Sequence, residues 1–274
     1  MPRMLRLKTD PSPHHGHHFH FEDLRAPNAL LLALEGRAPW EYAALLASMP
    51  WLRKLPRGDG HPVLVFPGLG ANDFTTAPLR RFLDGLGYVT HPWGQGFNFG
   101  PRQGVLERCT HDVRRLFNAH ERKVSLIGWS LGGIYARELA KLHPQWVRCV
   151  ITLGTPFAGA PQTTNAWRLF RLTSGRDVKA ESRRFQLPVA PPVPTTSIFS
   201  RSDGIVAWKG SLQKRSKANP DTENIEVIAS HLGIGMNPSA MYAVADRLAQ
   251  PEGAWKAFDR TGALRGLLYP DPAR

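Results

Sequence analysis

Residues 123–142 read KVSLIGWSLGGIYARELAKL, and this stretch decides the architecture. Residues 124–127 form a short apolar run rich in β-branched side chains, the pattern of a strand. Gly128, Trp129, Ser130, Leu131 and Gly132 follow as a G-x-S-x-G pentapeptide. Beyond it Leu131, Ile134, Tyr135, Leu139 and Leu142 recur at steps of three and four, which predicts a helix burying one face. A bare G-x-S-x-G arises by chance in chains of this length. Between a strand and a helix it is a nucleophile elbow, with the serine on a strained turn that lifts its hydroxyl clear of the sheet.

Working outward, strand and helix patterns alternate. HPVLVFPGLG (61–70) predicts a first strand over 63–66, whose unbroken apolar run suits a strand covered on both faces. A helix is expected over 77–86 and a strand over 88–93. Residues 103–121 read as an amphipathic helix with Val105, Cys109, Val113, Leu116 and Phe117 on its buried stripe. VRCVITLGTP (147–156), TTSIFS (195–200) and NIEVIA (224–229) supply further strands, and Asn237 with Pro238 starts a last helix. The fold class expected is therefore α/β, a mostly parallel sheet of about six strands with helices on both faces.

Outside that alternation, residues 1–26 read as a loosely ordered tail whose HHGHHFH run (14–20) is taken as compositional, so no metal site is expected. Residues 27–250 read as one domain. Within it 27–56 read as an apolar helical segment over a sheet edge, with a membrane- or acyl-chain-facing surface as the other reading, and 157–194 as a small cap. Residues 251–274 read as a C-terminal tail with weak pattern.

Composition narrows the rest. The chain has 274 residues, 42% of them hydrophobic, and a formal charge of +13, enough for a single large core. The basic residues are scattered and fall in no recognisable nucleic-acid module, so nucleic acid is set aside while peripheral contact with an anionic membrane stays open. Cys109 and Cys149 lie in apolar patterns and read as buried free thiols. The apolar run 29–34 is too short to span a bilayer and lacks a cleavage site after it, so the expected location is the cytoplasm. Oligomeric state is not legible.

A serine hydroxyl needs a base in hydrogen-bond reach, oriented by a third group. In parallel α/β sheets such groups gather at the carboxyl ends of strands. Of eleven histidines, His231 stands just after the 224–229 strand in SHLGIG, whereas His61 precedes a strand, His91 lies within one, and His111, His120 and His143 belong to helices or their ends. Among the acids, Asp203 follows the 195–200 strand. Asp73 is the weaker choice because its loop is the expected source of an oxyanion donor, and the Asp203–Gly204 pair could also serve only as a turn. Ser130, Asp203, His231 is the order serine, acid, histidine. Backbone amides to meet the oxyanion are expected at Leu131, after the nucleophile, and at Leu69, in the loop after the first strand. Aromatic Phe74, Trp93, Phe97, Phe99 and Trp129 are the candidate pocket walls.

The chain here resembles the α/β-hydrolase superfamily and, within it, bacterial lipases and esterases. The resemblance rests on VLVFPGLG (63–70), GWSLGG (128–133), LGTPFAG (153–159), SRSDGIV (200–206) and SHLG (230–233), in the family's order over roughly residues 60–250. It implies a small-molecule ester or lipid substrate, nucleophile Ser130, acid Asp203, base His231, oxyanion amides at Leu69 and Leu131, no cofactor, and a sheet without the first two strands of the full fold. Pro67–Gly68 stands where the family commonly has His-Gly, and 27–56 has no counterpart in the minimal lipases. Two other readings are carried beside ester hydrolysis: an acyltransferase with the same triad, and a non-catalytic hydrolase-fold protein binding lipid or an anionic partner.

Overall fold

The computed structural model describes residues 25–159, 163–166, 170, 187–217 and 219–274. Its centre is a parallel six-stranded sheet: β1 Pro62–Phe66, β2 Val89–Pro92, β3 Val124–Trp129, β4 Val147–Leu153, β5 Thr195–Phe199 and β6 Thr222–Glu226. The spatial order is β2-β1-β3-β4-β5-β6. The chain thus steps outward from β1 to β2, then returns past β1 to build the rest of the sheet on the other side. Order reverses between β1 and β3, and the crevice beyond their carboxyl ends is where sheets of this kind hold their sites.

Alternation along the strands divides the core. Val63, Val65, Ile127 and Ile151 face one layer, with Leu45 and Leu52 of α2 (Ala38–Leu52), Leu79, Phe82, Leu83 and Leu86 of α3 (Asp73–Leu86), and the inner face of a C-terminal helix, Pro238–Leu248. Leu64, Phe66, Leu126 and Val150 face the other, against α4 (Val105–His120) and α5 (Leu131–Leu142). Both faces are covered, which is why β1 and β3 are buried along their whole length. Cys109 and Cys149 are free thiols; burial pushes that of Cys109 up to about 12.

Two expectations need correction. The last strand is Thr222–Glu226, not 224–229, because its inward positions are polar: Thr222 and Glu223 are buried, and Glu223 pairs with Arg247 at 2.8 Å. Residues 251–274 are no loose tail either. They carry a short helix, Ala263–Leu268, and bury Phe258 and Tyr269 in the first core layer, their rings 4.7 Å apart.

The N-terminal segment is helical as expected, with α1 (Ala29–Ala33), a 3₁₀ turn (Leu34–Arg37) and α2 in succession. Most of the expected cap, including Trp167, Leu169 and Leu172, lies outside the described residues, as does the histidine run at 14–20. No helix among the described residues is long and apolar enough to cross a membrane.

Candidate active site

The turn from β3 into α5 is short and tight. Ser130 has φ 52° and ψ −121°, a conformation a non-glycine residue holds at a cost of about 1–3 kcal/mol. Neighbouring contacts hold it there: its N–H donates to the Leu153 carbonyl at 2.8 Å, and its carbonyl accepts from Gly133 at 3.0 Å. The flanking glycines are required by close approach, since a Cβ on Gly128 would lie 2.3 Å from Gly133 and one on Gly132 would lie 2.4 Å from the Phe66 carbonyl. Ser130 therefore stands at the head of α5, where the helix N-terminus favours negative charge.

Asp203 and His231 meet above the ends of β4 and β5. His231 Nδ1 and Asp203 Oδ2 are 2.7 Å apart, and both residues are buried. The other carboxylate oxygen of Asp203 accepts the N–H groups of Ile205 (2.8 Å) and Val206 (2.7 Å), which leaves Oδ2 to the imidazole. Burial works to lower the His231 pKa, but the charge and hydrogen bond of Asp203 and the charge of Glu35 outweigh it and hold the imidazole above its ordinary value. A carboxylate on Nδ1 favours the tautomer with its proton there, leaving Nε2 as an acceptor.

Contacts of neighbouring residues link the serine turn to the loop of His231. Trp129, the residue before the serine, donates its indole N–H to the His231 carbonyl at 3.0 Å. Ser130 is tied to Leu153, and Gly154 lies so close under the pair that a Cβ there would stand 3.0 Å from His231 Nδ1 and 3.1 Å from Asp203 Oδ2. Among the described residues no hydrogen bond joins Ser130 to His231; in unliganded sites such contacts commonly tighten only with substrate bound.

The loop after β1 runs against the nucleophile, close enough that a Cβ on Gly68 would be 3.3 Å from Ser130 Cβ. Neither the Leu69 nor the Leu131 N–H has a hydrogen-bond partner among the described residues. Asn98, which the sequence reading missed, shapes this loop. Wholly buried, it donates its side-chain N–H to the Pro67 carbonyl at 2.8 Å, while its backbone exchanges bonds with Gly70 (2.7 Å) and Ala71 (2.8 Å). The only outward sign is an asparagine between two phenylalanines in a glycine-rich loop.

Of the expected pocket walls, Trp93 and Trp129 are core residues: Trp93 stacks on Tyr135 at 6.2 Å, and Trp129 packs in the layer under α3 and the C-terminal helix. Phe74 and Phe97 are exposed, and Phe97 stacks on Phe99 at 5.8 Å, both flanking Asn98. Asp73, the runner-up acid, is spent on the N–H groups of Trp93 (2.9 Å) and Gly94 (3.1 Å).

A second serine–histidine–aspartate alignment exists at the opposite end of the sheet. Ser125 Oγ lies 2.9 Å from His61 Nε2, and His61 Nδ1 lies 2.5 Å from Asp59. Ser125 is 0% exposed, against 9% for Ser130, and burial with the Arg148 charge lowers the His61 pKa to about 4. No substrate reaches that hydroxyl, so the alignment is structural. No group of three or more His, Cys, Asp or Glu among the described residues could hold a metal ion.

A parallel sheet with helices on both faces and a serine turn at the switch point are the features of the α/β-hydrolase fold. Comparison with known proteins agrees. Residues 100–186 match the model of the PGAP1-like alpha/beta domain family. The chain is 30% identical over 142 residues to serine hydrolase BPHL of Mus musculus, covering 48% of this chain and 47% of that protein. It is 28% identical over 123 residues to a pimeloyl-[acyl-carrier protein] methyl ester esterase of Shewanella sp. (strain MR-7), covering 44% and 45%. Among solved structures, lipase B of Aspergillus fumigatus superposes with a TM-score of 0.55 at 19% identity, over 74% of this chain and 56% of the other. The matches span about half the length of the two sequence relatives. The chain has the α/β-hydrolase fold.

Proposed function

We propose that this protein hydrolyses carboxylic esters through an acyl-enzyme, with Ser130 as nucleophile, His231 as general base and Asp203 as the group that orients the base. The observation that carries the reading is a strained serine at a helix N-terminus, next to Trp129, whose indole bonds the backbone of a histidine with its inner ring nitrogen 2.7 Å from a buried carboxylate. The esterase and lipase relatives support the same class.

Ser130 Oγ attacks the ester carbonyl carbon while His231 Nε2 takes the hydroxyl proton, and the carbonyl π electrons move onto oxygen. That oxyanion is met by the Leu69 and Leu131 amides. Collapse expels the alcohol, which receives the proton from His231 and leaves an acyl-serine. Water, deprotonated by the same imidazole, then attacks; collapse releases the acid and returns the proton to Ser130. The reaction uses side chains and backbone only, with no cofactor.

The outer face of α2 bears on the substrate. Trp40 (76% exposed) and Trp51 (69% exposed) stand at its two ends, with exposed Ala44 and Ala47 between them. An apolar face with terminal tryptophans on a chain of charge +13 favours an ester met at an anionic lipid surface. The test is Ser130→Ala against wild type on esters from acetate to long acyl chains, each with and without anionic vesicles. Turnover is expected to vanish in the variant and to rise with vesicles for the longer chains. Full activity in Ser130→Ala would end the proposal, and formation of a new ester with added alcohol would turn it toward acyl transfer.

A further inference from the structure

The segment ahead of β1 turns its carboxylates inward. Glu35, in the 3₁₀ turn, and Glu41, in the first turn of α2, are both buried, while their helical neighbours face solvent. Glu35 Oε1 accepts the N–H of Gly204 at 2.7 Å and that of His231 at 2.9 Å, and Oε2 accepts the N–H of Leu232 at 2.8 Å. Glu41 accepts from the Ser230 N–H at 2.7 Å and from the Asn237 side chain at 3.2 Å. Arg37, 3.2 Å from Glu41, donates to the carbonyl and hydroxyl of Ser202 at 3.1 and 2.7 Å.

Apart from Asn237, these partners are His231 itself or residues that flank a proposed catalytic group. Ser202 and Gly204 bracket Asp203, while Ser230 and Leu232 bracket His231. Residues 230–232 lie beyond the sheet, and their N–H groups go to the two carboxylates instead of to a strand. Two glycines make room for the arrangement. A Cβ on Gly204 would meet the Leu31 carbonyl at 2.2 Å, and one on Gly233 would meet the Glu41 carboxylate at 2.5 Å.

We infer that Glu35, supported by Glu41, is a positioning residue for the reaction: one buried carboxylate from the N-terminal segment fastens the loop bearing the acid to the loop bearing the base. This rests on the reading of Ser130, Asp203 and His231 given above. The charged groups facing the imidazole region are Asp203 beyond β5, Glu35 from the 3₁₀ turn, Glu41 from α2 and, across Ser202, Arg37. Removing the Glu35 charge takes away one of the influences that raise the His231 pKa.

The experiment compares the full-length wild type with Glu35→Gln and Glu35→Asp. Glu35→Gln keeps the shape but presents an amide donor to the Leu232 N–H. It is expected to lower kcat at least tenfold with KM little changed, to move the acidic limb of kcat/KM to lower pH, and to lower the midpoint of the His231 imidazole titration followed by NMR. Glu35→Asp keeps the charge but withdraws the oxygens by a methylene, and is expected to keep the limb while losing kcat. A folded variant of either kind with wild-type kcat, limb and imidazole titration overturns the inference; should Glu35→Gln not fold, Glu35→Asp decides on kcat. A wild type that hydrolyses no ester and leaves Ser130 unlabelled by a fluorophosphonate would instead sink the ester-hydrolase reading. In that case the NMR midpoint of Glu35→Gln still decides whether the carboxylate governs the imidazole.

Discussion

Asn98 donates its side-chain N–H to the Pro67 carbonyl across 2.8 Å, and with that bond it fixes the curve of the loop that carries the Leu69 amide. Asn98→Leu is close in shape but cannot donate, so the turn loses its brace and the Pro67 oxygen loses a buried partner. A misplaced oxyanion donor costs on the order of 10² in rate. We therefore expect kcat to fall about 100-fold with little change in KM, and stability to fall by about 1–3 kcal/mol in urea unfolding. Wild-type kcat in that variant would show the loop to hold its shape unaided.

Ser130 is strained at φ 52°, and glycine relaxes that strain. Ser130→Gly is expected to be inactive yet more stable than wild type by about 1 kcal/mol, the relieved strain exceeding the extra chain entropy of glycine. Thermal melting checks it: a variant melting below the wild type would mean the turn is not under load.

Asp203→Asn should keep the fold and lose the chemistry. The amide oxygen can take over the bonds to Ile205 and Val206, which forces the amide NH₂ toward His231 Nδ1. The imidazole must then carry its proton on Nε2, where it cannot accept the one from Ser130. A loss in kcat on the order of 10⁴ is expected, as for a wrong tautomer in other serine triads. Kinetics together with an unchanged circular dichroism spectrum would check it, and a loss under tenfold would remove Asp203 from the role.

The pH dependence has a definite sign. Hydrolysis needs neutral His231, whose pKa in the fold is raised, so kcat/KM should fall on acidification along a limb centred above about pH 6.5, the unperturbed histidine value. A raised pKa also means that protonated His231 contributes stability. That contribution is complete below the unfolded value and is lost as pH rises through the folded one. Asp203→Ala should flatten this part of the stability profile. A limb below about pH 6 in the wild type would contradict the pairing.

What the sequence reveals depends on how far apart the interacting residues lie. The elbow is legible because its determinants, Gly128, Ser130, Gly132 and Gly133, are neighbours in the chain, while Asp203 and His231, singled out by their places after strands, lie 2.7 Å apart. Asn98 and Glu35 escape because their partners lie 31 and 196 positions away and nothing nearby hints at them. β6 was misplaced because its buried threonine and glutamates carry no apolar signal. Phe258 and Tyr269 sit in the core without any period around them. Trp93 and Trp129, aromatic and next to the site, read equally well as walls or as core, and only their packing decides.

The long reach from Glu35 to the base loop also bears on how the chain acquires its structure. Strand β3, its turn and α5 need only contacts made within a short stretch and with adjoining strands. The imidazole is seated only when a segment near one end of the chain closes on a loop near the other, across a span of 196 residues. Closures over such distances come late in folding. Refolding should therefore recover far-UV dichroism before it recovers the capacity of Ser130 to react, with competence arriving as the two ends meet.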